Sequence, residues 1–167
     1  AGNPSIALAS GVATPGTYYS VTVDTYGRVT SGTGTAVASS VTVSLTNAEA
    51  GTTVIASPAY SFAAGSFKKA VANSATTSQV IGFASADINA AASGSIITTG
   101  VAVATTGQWD AVTGQTGGLS AGAKYFLDPT TAGKITSTVP STGFIVPLGI
   151  ALSTTQLQIN IGQPIQL

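Results

Sequence analysis

The sequence predicts an all-β protein, an antiparallel β-sandwich or barrel domain preceded by an extended N-terminal arm that carries a β-hairpin. Three observations lead there. Short apolar and β-branched runs succeed one another from Thr46 to Ile161, with Gly, Pro, Asn, Asp or Ser between most of them, and no long stretch has a helical period. Of the 167 residues, 6% are charged and 44% hydrophobic, with zero net charge and a mean hydropathy of +0.42. Disordered chains have the opposite composition, so this chain folds. Finally, TPGTYYSVTVDTYGRVTSGT, from Thr14 to Thr33, writes out a whole hairpin.

Residues 1–45 read as the arm. Ala1 to Gly11 is small and polar around a short apolar patch, Ile6 to Ala9. Ser20 to Val23 alternates polar and β-branched residues as a half-buried strand does, and Arg28 to Thr30 resumes the pattern. Between them, Asp24 supplies a side-chain acceptor for a backbone N–H and Gly27 tolerates positive φ, so the chain reverses there. SGTGTA, from Ser31 to Ala36, has the composition of a flexible spacer, and a second SVTV follows at Ser40 to Val43. This places a boundary near residue 45.

Residues 46–167 read as the β-domain. Strands are expected at Thr53–Ala56, Ala59–Ala63, Phe67–Ala72, Gln79–Ala84, Ser95–Ala104, Lys124–Leu127, Lys134–Thr138, Phe144–Leu152 and Gln156–Ile161. A turn of helix is expected only at Asn47–Ala50 or Ser85–Ala92, with Ser85 or Asp87 as the cap. Near Asp128 the first hairpin has an echo. In both places a strand ends on Asp and restarts as Gly, a base, a β-branched residue, Thr and Ser, which makes Asp128 and Gly133 turn residues like Asp24 and Gly27.

Chemistry is narrowed by residue type. Without His or Cys the chain has no common zinc set, no Ser-His-Asp triad and no thiol nucleophile. Ser66 and Lys69 match Ser-x-x-Lys in a strand-like run, where a helical turn does not bring them together. Asp110 and Asp128 are candidates for a glycosidase pair, against which stands the plainer role of an acid in a turn. Neither the calcium-loop nor the phosphate-loop pattern occurs. The reading is of no catalytic residue, no cofactor and no metal site. Core or subunit-interface packing is the favoured role of the aromatics, and Trp109 beside Asp110 is the one pair singled out as a carbohydrate contact if a sugar is bound.

Scattered charges give no footprint for nucleic acid. The strongest apolar run, Phe144 to Leu152, is interrupted by Pro147 and Gly149 and falls well short of the roughly 20 residues that span a bilayer, so no membrane insertion is expected. The absence of Met points to a removed initiator or a processed piece. With no cysteine to form disulfides, stability must come from packing and subunit contacts.

The Thr14–Thr33 segment resembles a short module of tailed-bacteriophage virion proteins, in which a TPGTY run leads into VTVD and then GRVT. Further on, QVIGFASADINAAASGSIITTGVAV, GGLSAGAKYFLDPTTAGKITSTVP and VPLGIALSTTQLQINIG are similar to the β-rich domains of phage head decoration and head-fibre proteins. The resemblance implies a non-enzymatic virion structural protein, a homotrimer on the capsid surface or in a fibre, whose partners are its own copies and the major capsid protein or another virion protein. A tail-fibre adhesin recognising host surface polysaccharide is the alternative it leaves open.

Overall fold

The computed structural model describes residues 20–25, 29–33 and 40–167. It divides into two compact units, Ala1–Ala38 and Ser39–Leu167. In the first, β1 (Ser20–Val23) and β2 (Val29–Thr33) pair antiparallel. The register shifts between Thr22 and Val23, where Thr22 faces Ser31 and Val23 faces Val29, so the hairpin carries a bulge next to its turn. Asp24 lies at that turn; Gly27, the TPGTY run and the expected arm at Ala1–Gly11 lie outside the described residues. Ser31–Thr33, read as the start of a spacer, instead belongs to β2, because β1 supplies partners for its backbone.

The second unit contains β3 (Ser40–Asn47), β4 (Pro58–Ala63), β5 (Ser66–Lys69), β6 (Val80–Ala84), β7 (Ser93–Val103) and α1 (Thr106–Thr113). After the helix come β8 (Lys124–Leu127), β9 (Ile135–Thr136), β10 (Phe144–Ile145), β11 (Pro147–Ala151), β12 (Gln156–Ile159) and β13 (Ile165–Gln166). The described residues are all-β around one short helix. The strands β3, β5, β4, β6 and β7 form a ring that closes through β3–β7 pairing, and only the β3–β5 contact is parallel. From β7 the sheet runs on through β12, β11, β8 and β9, while β10 and β13 make a separate pair. Gly100 joins the two parts, since it faces Ser40 on one edge of β7 and Ile159 on the other.

Alternation along the shared wall divides its side chains between two cores. Ala59, Ala84 and Ile96 turn into the barrel with Phe67 and Ile88. Their neighbours Tyr60, Phe83 and Ile97 turn outward, into a larger core with Trp109, Tyr125, Leu127, Leu148 and Leu157. Strands buried on both faces have no polar alternation to show, which is why Val80–Ala84 reads as an unbroken apolar run. Gly82 lets β6 and β7 approach this closely, because a Cβ there would lie 2.1 Å from the Ile97 carbonyl oxygen.

Several sequence expectations are corrected. β3 begins at Ser40 and pairs with β7 from Ser40 to Thr46, so the unit boundary falls at Ala38/Ser39 and not near 45. The expected strand Thr53–Ala56 contributes one bridge, Thr53 to Ile88, and then turns at Ala56, whose φ is +65°. Phe144–Leu152 splits at Val146 into β10 and β11, which have different partners. Neither expected helix forms. Asn47 ends β3 with its buried amide nitrogen donating to the Gly51 and Ile88 carbonyls, and Asp87 takes the N–H of distant Ile55 rather than capping its own turn.

The helix lies at Thr106–Thr113 instead. Its composition, TGQWDAVT, is poor in strong helix formers. The ends provide the order: Thr105 Oγ1 accepts from Gln108 N at 3.3 Å, Gln108 Oε1 accepts from Thr105 N at 2.8 Å, and Gly114 closes the last turn at φ +69°. Trp109 and Val112, one turn apart, bury their side chains in the outer core.

Candidate interaction surface

Every acid in the second unit is committed to a backbone amide. Glu49 Oε1 accepts from Lys69 N at 2.9 Å and Asp87 Oδ1 from Ile55 N at 2.8 Å. Asp110 accepts from Gly118 N at 2.6 Å and Gly117 N at 3.2 Å, pinning the loop after α1. Asp128 Oδ1 accepts from Thr130 N, Thr131 N and the Thr130 hydroxyl, all within 2.8 Å. Partial burial pushes the Asp128 carboxyl up, but these three hydrogen bonds and the Lys134 charge outweigh it and leave it below the ordinary carboxylate range. Gly133, at φ +78°, completes that turn, and a Cβ there would press on the Lys69 side chain at 2.8 Å. Lys134 donates to the Ala111 carbonyl in the last turn of α1.

These commitments decide how the sequence candidates are read. Asp110 and Asp128 hold separate loops, each through its own set of amides. Trp109 is 0% exposed and its indole N–H donates to the Thr155 carbonyl at 3.1 Å, so its ring has no face to offer a sugar, and the core role holds over the alternative Trp109–Asp110 glycan contact. Ser66 sits on β5 and donates its hydroxyl to the Ala63 carbonyl, as an ordinary strand-end contact. Among the described residues no group of three or more acids, His or Cys stands ready for a metal, and no helix is long and apolar enough to cross a membrane.

The surface has its own feature, which sequence reasoning missed. Beyond the barrel, the outward face of β7, β12, β11 and β8 carries Val101 and Val103 beside Gln158 and Gln156, with Ile150 beyond Gln158 and Lys124 beyond Ile150. Val103 is 55% exposed, Leu152 52%, Ile150 40%, and Val41, paired with Thr99 on the same face, 63%. Exposed aliphatics gathered on one sheet face, with amides and hydroxyls and a single lysine among them, have the composition of a protein contact. The signal was present in Val101-Ala102-Val103-Ala104, where the small residues turn inward and the large ones outward, the reverse of the usual order. An exposed aromatic also exists elsewhere: Phe62, in the bulge of the β4–β5 hairpin, is 51% exposed with Lys68 Nζ 4.0 Å from its ring centre.

Barrel, half-sheet and outward face together define an all-β domain with a largely uncharged, aliphatic-bearing sheet face. Set against known proteins, the chain matches no family model and no curated sequence.

Proposed function

We propose that the chain is a non-enzymatic virion structural protein, a capsid-bound decoration protein or short head fibre that works as an assembly of identical copies. The outward face of β7, β12, β11 and β8 carries the reading: it suits a permanent contact with another protein surface. Commitment of Glu49, Asp87, Asp110 and Asp128 to backbone amides favours a structural role for the acids. The resemblance of the Thr14–Thr33 segment adds the virion, a three-copy assembly and attachment through the N-terminal segment.

Electron microscopy of intact particles carrying the chain tests the placement, with density on the capsid surface expected and density confined to the tail opposing it. Attachment is tested by deleting residues 1–38, which spares β3; the earlier boundary at 45 would cut the barrel open. The truncated protein is expected to keep its β-sheet circular dichroism and lose capsid occupancy. Full occupancy would sink the attachment role.

A second reading, a tail-fibre adhesin for host polysaccharide, is favoured by the exposed Phe62 ring, which offers a stacking face that Trp109 does not. A host-glycan binding screen with Phe62→Ala separates the readings. Sugar binding lost in that variant supports the adhesin, and no binding by the parent chain supports decoration.

A further inference from the structure

We propose that two copies of this chain join edge to edge through β3, antiparallel, about a two-fold axis passing through Thr42. The proposal rests on the self-assembling reading above and assigns a contact additional to a three-fold one, joining one three-copy assembly to a second.

β3 extends past the barrel it helps to close. Along one edge it pairs with β7 from Ser40 to Thr46, but along the other only Thr46 and Asn47 meet β5. From Ser40 to Leu45 that second edge has no strand of the second unit beside it. Hydrogen bonds fix which backbone groups it presents. Asn47 N–H turns to β7, donating to Ala92 O at 2.9 Å, and Thr46 N–H turns the other way, to Gly65 O at 2.9 Å. The Val41 carbonyl, which accepts from the Thr98 hydroxyl, is in phase with Asn47. Alternation therefore aims the amides and carbonyls of Ser40, Thr42 and Ser44 at the open edge.

The strand's own sequence does not protect this edge. Ser40–Asn47 contains no charge, proline or glycine, and Val41, Thr42, Val43 and Ser44 are all exposed, so both faces of the ribbon are bare. A row of unpaired amides and carbonyls is matched by another extended strand.

The sequence of the edge names that strand. Ser40-Val41-Thr42-Val43-Ser44 reads the same in both directions. Antiparallel pairing about Thr42 puts Thr42 opposite its own copy, each Ser40 opposite a Ser44, and each Val41 opposite a Val43. The outward-aimed positions 40, 42 and 44 then meet only one another, forming about six backbone hydrogen bonds. Valine meets valine at the closer, non-hydrogen-bonded positions, with hydroxyl residues on the other face. Neutrality removes any repulsion across the axis, and the contact is isologous, as two-fold interfaces are.

Thr42→Cys in the full chain is a direct test, because the protein has no cysteine of its own. Paired Cα atoms at a hydrogen-bonded position lie about 5.5 Å apart, within disulfide reach. Mild oxidation is expected to convert this variant to a covalent dimer while Val139→Cys, exposed elsewhere, stays largely unlinked. Cross-linking at Thr42 no faster than at Val139 would overturn the proposal. Thr42→Pro deletes one outward N–H without touching the β7 ladder, and light scattering is expected to show the mass fall by half with the β-sheet spectrum kept. If that variant unfolds, Thr42→Lys places like charges across the axis and is expected to halve the mass as well. A mass of three chains, unchanged by either variant, would also overturn the two-fold contact. Capsid occupancy enters none of these readouts, so failure of the virion reading and failure of the β3 contact remain distinct.

Discussion

Inside the barrel, Ala59, Ala84, Phe67, Ile88 and Ile96 fill the space; on the other side of the same wall sit Trp109, Tyr125, Tyr60, Phe83 and a long set of leucines. A five-stranded ring is narrow, and its interior accepts small and medium side chains with a single aromatic. One of its occupants, Ile88, comes from a loop and packs against Gly94, where a Cβ would come within 2.5 Å of it. Large rings are therefore placed outside, and they need a second cover. The half-sheet of β12, β11, β8 and β9, with α1, supplies it. The difference shows that the barrel is a support for the outer core rather than the main reservoir of buried surface.

The strongest way to break that contrast is Trp109→Ala, which empties the outer core and removes the bond to Thr155. A loss of about 3–5 kcal/mol is expected in urea unfolding, and a loss below 1 kcal/mol would show that the outer core is not the dominant one. Gly82→Ala strains the wall both cores share, because β6 and β7 cannot separate without disturbing either side. About 1–3 kcal/mol is expected there, read from the same denaturation curves. Thr53→Val tests the barrel rim with the opposite sign. The Thr53 hydroxyl is buried and without a partner among the described residues, so the near-isosteric valine is expected to stabilise by about 1 kcal/mol.

The smallest expected effect is a pH dependence. Asp128 has a native pKa below its ordinary value of 3.8, so its contribution is complete above about pH 4 and is lost as pH falls through the lowered native value. Melting temperature measured through the acid range should fall less steeply for Asp128→Asn than for the parent. Equal slopes would show that the turn owes nothing to the charge.

Much of the fold could be read from the chain because turns and strands announce themselves locally. Asp128 and Gly133 stood out by residue type, and Lys124–Leu127 was located to the residue. The helix escaped because TGQWDAVT has weak propensity throughout, although Thr105 three residues before Gln108, with Gly114 beyond, was a capping box in plain view. Trp109 shows what the missed helix decides: on a loop it would be a binding aromatic, whereas on α1 it is a core anchor, the packing role favoured for the aromatics from the sequence. Closure of β3 onto β7 joins residues about fifty apart, and no local pattern encodes a pairing at that distance.

β7 contributes to the ring through Ser93–Gly100 and to the half-sheet through Gly100–Val103. Because one continuous strand lies in both, neither part can come undone while the other keeps its full hydrogen-bonded boundary. The second unit is consequently a single cooperative block despite its two cores. Its calorimetric and van't Hoff enthalpies should coincide, and the β7 amides should be among the last to exchange with deuterium.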